Sequence, residues 1–550
     1  MTHKKLALVA LLALIGSTSR AVVNNKRVVR IRANDINKPG GFVINSAGKY
    51  FLMRDVLWDP NNDNDAAITI SPGVSNVCIN LRCHCIKQNT SNTQNNNIGI
   101  RIHKDNTNIS IANGSIKNIS GVGIYFEENT KCVELRNLTV KECGARGSFT
   151  TIVDEEPVAA GGVFFIGQEA NPNENIKIRH CMFIENTTNS AIAAGLHFTH
   201  TKNVRIENSF LNGNHGGTSV AAGLIGGISN LAMENVEAHN NNCDNTAYGI
   251  AIFEPDKTDI KNIVLKNVNA HNNRGLGSSS EEVDKLTGGG LLIEKAKDVF
   301  CYNCSFNTNF LGGGFTGDSF GICLADVHNC VMDNCLASDN TGNVQLVFGF
   351  MLVGCTNCVF KNCTANRNIN SNNVLGGTNT YIKAFGFGLF AGQGNAFINC
   401  VAEENDAIAG FVAAGFSLAG SCVTVDTCLA QGNGPNCEGA GILSNPFTGG
   451  QGPDRGIIKN NCTLCNSAIG IGDLTALIGG NNINSYFNNY SFANGAAGGS
   501  IILPGPVVIP RGNYYSLPTN TPIRTWTMGS APAAEIAGKL DNLDIVKPAV

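Results

Sequence analysis

Apolar and polar residues alternate in short bursts that end on asparagine, and these bursts recur through most of the chain. The phrase is apolar-x-apolar-x-Asn. It is carried by Val133, Leu135 and Asn137, by Val204, Ile206 and Asn208, by Leu231, Met233 and Asn235, and by Ile263, Leu265 and Asn267. It continues in Val299, Cys301 and Asn303, in Cys330, Met332 and Asn334, in Cys358, Phe360 and Asn362, and as Asn395, Phe397 and Asn399. His180 and Thr427 replace the Asn in two further copies, and Asn461 is read as closing the series. Successive anchors lie 43, 28, 27, 32, 36, 31, 28, 37, 28 and 34 residues apart. A recurring unit of that length, elastic at one point, predicts stacked coils.

Within each unit the period is two, so positions −4 and −2 before the anchor face a core and −3 and −1 face outward. Positions +1 and +3 are apolar again, as in Cys304 and Phe306, Cys335 and Ala337, Cys363 and Ala365, and Cys400 and Ala402. Strict alternation would bury the anchor too, so the chain must bend there. Asn suits that bend because it tolerates left-handed backbone. A second Asn follows six residues after the anchor, at Asn186, Asn214, Asn241, Asn273, Asn309, Asn340, Asn368, Asn405 and Asn433, and the strand that comes next begins with Gly. The prediction is all-β: a single-domain right-handed parallel β-helix (a solenoid) of about 12 to 13 coils, with three strands per coil. Stacked Asn side chains should hydrogen-bond from coil to coil.

Composition adds an address and removes some partners. His3, Lys4 and Lys5 precede an apolar run from Leu6 to Ile15 and a small-x-small site at Ser19 to Ala21. This reads as a secretory signal over residues 1–21, too short to span a bilayer, which predicts a secreted or cell-surface (extracellular or periplasmic) protein. The helix then occupies 22–500, and a capping tail 501–550. A formal net charge of −3 gives no basic footprint for nucleic acid. No later segment reads as membrane-spanning. The 21 Cys follow repeat phase, so they read mostly as small buried hydrophobes, with disulfides between neighbouring coils left open by the spacing. Cys83 and Cys85, Cys301 and Cys304, Cys355 and Cys358, and Cys462 and Cys465 resemble zinc half-sites only in spacing. No metal site and no cofactor follow from the sequence. Calcium is the one ion the acidic loops could attract, at Asp154 to Glu156 and at Glu281, Glu282 and Asp284, without the Asp-x-Asp spacing that would support it.

The opening of the repeat, Gly48 to Leu52, then Ile68 to Ile70, then Val77 to Leu81, resembles the first coil of the pectin-lyase-like superfamily of right-handed parallel β-helices. The likeness spans roughly residues 40 to 495. That resemblance implies the fold and leaves activity open, since the superfamily holds lyases, hydrolases, adhesins and phage tail proteins. Phe183 and Asn186 followed by Ala194, Gly195 and Leu196 are loosely similar to repeats of polymorphic outer-membrane adhesins.

Two sets of residues could carry chemistry. Glu254, Glu294 and Asp326 fall near the ends of three successive Gly-led strands, where carboxylates about 5 or 10 Å apart would suit glycosidase chemistry. Glu237 and His239 share a face, with Asn269 and His271 one coil on, a pattern suited to sugar binding, to a divalent metal or to acid–base work. The outward positions of the Gly-led strand, from Phe164 through Ile225, Leu292 and Met351 to Leu443, are apolar, and His197 is the ionisable exception. Such a face calls for a cover: loops, the tail or another subunit in a homo-oligomer. The leading expectation is a non-catalytic binding module or adhesin that recognises a polysaccharide or surface glycan. The alternatives are a polysaccharide lyase or glycoside hydrolase, and a structural component of an assembly.

Overall fold

The computed structural model describes residues 28–473 apart from Thr93, Cys465 and the segments 145–159, 189–191, 217–219, 254–259, 277–285, 313–316, 372–381, 409–411, 445–456 and 467–468, together with 485–487, 489–492, 501–502 and 514–515. The expected signal, the acidic loop residues Asp154 to Glu156 and Glu281 to Asp284, and Glu254 lie outside the described residues. The chain divides into two compact units, Met1–Cys243 with Gly249–Asn269, and Asp244–Tyr248 with Ala270–Val550.

Each unit is a stack of parallel strands wound as a right-handed β-helix. In the first, Ala66–Ile70, Ile98–Ile102, Val122–Phe126, Ala160–Ile166 and the start of Ile192–Phe210 pair in register on the Gly-led side. Val77–Gln88, Thr107–Lys117, Lys131–Lys141, Asn173–Arg179 and the later part of Ile192–Phe210 form the sheet that carries the anchors. In the second unit, Leu286–Glu294, Gly317–Ala325, Leu346–Thr356, Ile382–Gln393, Val412–Leu418 and Glu438–Ser444 repeat the Gly-led side. Among the described residues, no helix is long and apolar enough to cross a membrane.

The bend at the anchor is a left-handed residue. Asn208 has φ 48°, Asn235 54°, Asn303 51° and Thr427 56°. The same geometry recurs five residues to either side, at Asn230 and Asn240 around Asn235, and at Asp298 and Thr308 around Asn303. One left-handed residue reverses the two-residue side-chain alternation, so each short strand can keep its apolar side inward around a corner. Two details differ from the sequence reading. The corner at this coil is Asn460, with φ 55°, and Asn461 is the buried residue after it. Cys462 therefore pairs with Leu429, outside the thiol row. The coil also has a fourth, two-residue ladder after the second Asn, seen at Thr187–Thr188 and His215–Gly216 in the first unit and at Phe310–Leu311 and Thr341–Gly342 in the second. Parallel pairing continues past residue 500, through Ile501–Ile502 and Tyr514–Tyr515.

The second Asn of each coil is buried and forms the expected ladder. In the first unit, Asn186 Nδ2 donates to Asn214 Oδ1 at 3.0 Å and Asn214 to Asn241 at 2.8 Å. In the second, the chain of donors runs from Asn273 through Asn309, Asn340, Asn368, Asn405 and Asn433 to Asn466, every link between 2.8 and 3.0 Å. The ladder explains the glycine that opens the next strand: a Cβ on Gly321 would stand 2.8 Å from Asn340 Nδ2 and 2.7 Å from Ala337 Cβ. Thiols occupy a neighbouring inward row. Cys363, Cys400 and Cys428 each point Sγ at a carbonyl of the preceding coil, at 3.5 Å, and Asn461 then takes over that role through Nδ2 at 3.1 Å to Val425 O. No disulfide joins the described cysteines. Stacked phenylalanines fill the rest, with Phe126, Phe165 and Phe198 in the first unit and Phe350, Phe387 and Phe416 in the second.

Candidate functional site

On the anchor-bearing sheet of the first unit, positions −3 and −1 point outward while −4 and −2 are buried. Three successive coils place charge at both outward positions: Glu134 and Arg136, Lys177 and Arg179, and Arg205 and Glu207. Register makes Glu134, Lys177 and Arg205 one row, and Arg136, Arg179 and Glu207 the next. Adjacent strands are about 4.8 Å apart and residues two apart along a strand about 6.6 Å, so six charged groups share a small face. Four are cations and two are carboxylates.

The carboxylates are spoken for. Arg179 Nη2 donates to Glu134 Oε1 at 2.8 Å, and its Nε stands 3.7 Å from Glu207 Oε2. Arg205 holds Glu207 through Nε at 2.6 Å. No ion pair reaches Lys177 or Arg136 among the described residues. Partial burial lowers the Lys177 pKa, and the guanidinium groups of Arg179 and Arg205 lower it further against the pull of Glu207. A cavity of about 400 Å³ opens here, lined by Glu134, Arg136, Asn137, Arg179 and His180. That volume is within the usual range for ligand pockets. Arg136 in the cavity lining and Lys177 level with Glu134, neither ion-paired among the described residues, suit a carboxylate, which a guanidinium can hold with two parallel hydrogen bonds. The sequence signal was present in the −3 and −1 positions: in the other described coils one or both are uncharged, as in Phe300 and Tyr302 or Ala396 and Ile398.

The expected residues are placed as follows. Glu237 pairs in register with Asn269, and His239 Nε2 lies 3.8 Å from Glu237 Oε2. Asn212 Nδ2 donates to His239 Nε2 at 2.8 Å, and the His239 amide donates to Asn212 Oδ1 at 3.1 Å. These three expected residues are thus close neighbours in the first unit, and His271 belongs to the second. In the second unit Glu294 is level with Ala325, one residue short of Asp326. Asp326 sits at a left-handed corner, φ 51°, and is exposed. Burial raises the Glu294 pKa, Lys295 opposes this, and Asp326 adds to the rise. Among the described residues, no three His, Cys, Asp or Glu side chains gather to hold a metal ion.

The outward face of the Gly-led strand is covered. Phe164, Ile225, Leu292, Met351 and Leu443 are all buried, as the apolar pattern required. His197 is buried with them, edge-on to Phe164 at 5.1 Å, and its Nδ1 has no hydrogen-bond partner among the described residues. Burial pushes its pKa down to about 4. The same row in earlier coils holds Arg101 and Tyr125, which sequence reading passed over because it began at Phe164. Burial, then the Glu127 charge, raises Tyr125 to about 12.

A family model described as "right handed beta helix region" matches residues 224–371. The chain is a right-handed parallel β-helix. None of the curated proteins matches it. Among solved structures it is similar to the A-module of the Azotobacter vinelandii mannuronan C-5 epimerase AlgE6, at 11% identity over 89% of this chain and 100% of that one, with a TM-score of 0.29. It is similar to the periplasmic alginate epimerase AlgG at 9% identity over 88% of this chain and 82% of that one, TM-score 0.30. It is also similar to PfbA, a surface adhesin of Streptococcus pneumoniae, at 10% identity over 73% of this chain and 83% of that one, TM-score 0.27. Likenesses this distant decide nothing about activity.

Proposed function

We propose that the chain engages an acidic polysaccharide on the Glu134–Arg205 face and acts on it by proton abstraction, as a lyase. The observation that carries this is Lys177: an amine with no ion pair among the described residues, level with Glu134 and two residues from Arg179, both of which line the cavity together with a second such cation, Arg136. A uronate carboxylate paired with a guanidinium acidifies the neighbouring C–H. The Lys177 amine, whose proton affinity is lowered, takes that proton, and the electron pair moves into the enediolate held by the guanidinium. Collapse expels the glycosidic oxygen at the next carbon and leaves a C=C bond, and the departing oxygen recovers its proton from the Lys177 ammonium. General bases of this kind contribute about 10²–10⁴-fold when their pKa lies near the working pH.

The test is a panel of polygalacturonate, alginate and glycosaminoglycans, followed by the ultraviolet absorbance of the new double bond and by direct binding. Lys177→Met should abolish turnover, by about a hundredfold or more, while weakening binding far less. Binding without turnover in the wild-type protein would return the chain to a recognition module. Turnover that survives Lys177→Met would remove Lys177 as the base.

A further inference from the structure

Across the left-handed corner from the cavity, the outward row runs Thr139, Met182, Phe210, Glu237 and Asn269 on successive coils. Its members are polar except for two, and those two are adjacent register partners: Met182 is 39% exposed and Phe210 40%. Isolated surface hydrophobes are ordinary, but two large ones side by side on neighbouring strands make a flat apolar step. Met182 follows His180, which lines the cavity, by two residues. Phe210 follows Asn208 by two, in the coil that supplies Arg205 and Glu207. His180 is itself the left-handed corner, so the step begins within two residues of the cavity lining.

We infer that Met182 and Phe210 form a stacking subsite for the sugar ring next to the one held in the cavity. The inference rests on the acidic-polysaccharide reading and names its second contact. A pyranose ring has an apolar C–H face and a rim of hydroxyls. The step offers its apolar surface to the first. Glu237, level with Phe210, and Asn212, joined to His239, offer hydrogen-bonding groups to the second. Cations on the cavity side meet the carboxylates of the chain, so charge runs in the same direction as the apolar contact. A protein partner fits less well: stable protein interfaces bury about 1,200 Å² or more, and two half-exposed side chains in a polar row supply only a small part of that.

Three proteins test this: wild type, Phe210→Ala and Phe210→Trp, titrated with acidic oligosaccharides of increasing length. Phe210 is exposed, so Phe210→Ala should fold normally. It should weaken binding of long oligomers by about tenfold and leave the shortest one that fills the cavity unchanged. The indole introduced by Phe210→Trp should shift in fluorescence and gain protection from a soluble quencher as long oligomers saturate it. Trp58 and Trp526 are common to all three proteins, so the wild-type titration supplies the background to subtract. If wild type binds but Phe210→Ala binds all lengths equally well and the indole signal is flat, the subsite is wrong and the cavity reading stands. If wild type binds no acidic oligomer, both fall.

Discussion

Replacing Asn340 with Leu, a side chain of similar shape, should loosen the second unit at one identifiable rung. Asn340 Oδ1 accepts both the backbone N–H of Asn309, at 3.2 Å, and its Nδ2, at 3.0 Å. Asn340 Nδ2 donates to Asn368 Oδ1 at 2.9 Å. After substitution, Asn309 Nδ2 keeps its contact with Ala270 O at 3.3 Å, and Asn368 Oδ1 keeps the backbone N–H of Asn340 at 3.2 Å. The Asn309 backbone N–H keeps nothing. One orphaned buried donor costs about 1–3 kcal/mol, and two lost hydrogen bonds about 1 kcal/mol each, so the rung should weaken by about 3–5 kcal/mol. Stacked coils need not unfold in a single step, so a global melting curve is a blunt probe. Native-state hydrogen exchange resolves the effect: the Asn309 amide should exchange about a hundredfold faster or more, with amides several coils away unchanged. Unchanged protection at Asn309 would mean the ladder holds up no part of the coil, and the account of the fold would be wrong.

Other consequences can be checked on the same material. His197 is held neutral, so the unfolded chain binds its proton more readily. Stability should fall as pH drops from about 6.5 toward 4, by about 3 kcal/mol, and the wild-type minus His197→Phe difference in stability should change with pH inside that window and be constant above it. Iodoacetamide on the native protein should label the exposed Cys83, Cys132 and Cys422 and spare the core thiols until unfolding. Burial raises Cys181 to about 11 and Cys143 to about 12, and a core thiol that reacts as fast as Cys132 would contradict the packing. Gly321→Ala places a methyl 2.7 Å from Ala337 Cβ and should cost about 1–3 kcal/mol in urea unfolding, and a neutral result would show that the Asn and Gly rows are not interlocked.

The fold was legible because it repeats. Asn at the corners, Asn six residues on, and Gly at the next strand each follow from backbone geometry that every coil must solve again. Where one coil solved it differently, the reading slipped. Asn460 and Asn461 are adjacent, and only the left-handed φ of the first tells corner from ladder. The short fourth ladder has no sequence mark of its own, since pairs as unlike as Thr187 with Thr188 and Phe310 with Leu311 serve it. The charged face was missed for a different reason. Its six residues belong to three coils and become neighbours only when the −3 and −1 positions are compared down the stack. Reading along the chain favoured local groups instead, and so picked out Glu237 with His239, which are close in space, and Glu294 with Asp326, which stand one residue out of step.

The most direct test of the central claim is the affinity of the Arg136→Glu/Lys177→Glu double variant for an acidic polysaccharide, beside that of the wild type. Among the described residues neither cation has an ion-pair partner to lose, and the substitution turns a face of four cations and two carboxylates into its reverse. Wild type should bind the acidic chain and ignore a neutral one of the same length, and the double variant should lose about a hundredfold or more in affinity with an unchanged melting temperature. Equal binding by the two proteins, or a wild type that takes neutral and acidic chains alike, would place the polysaccharide elsewhere or remove it from the account.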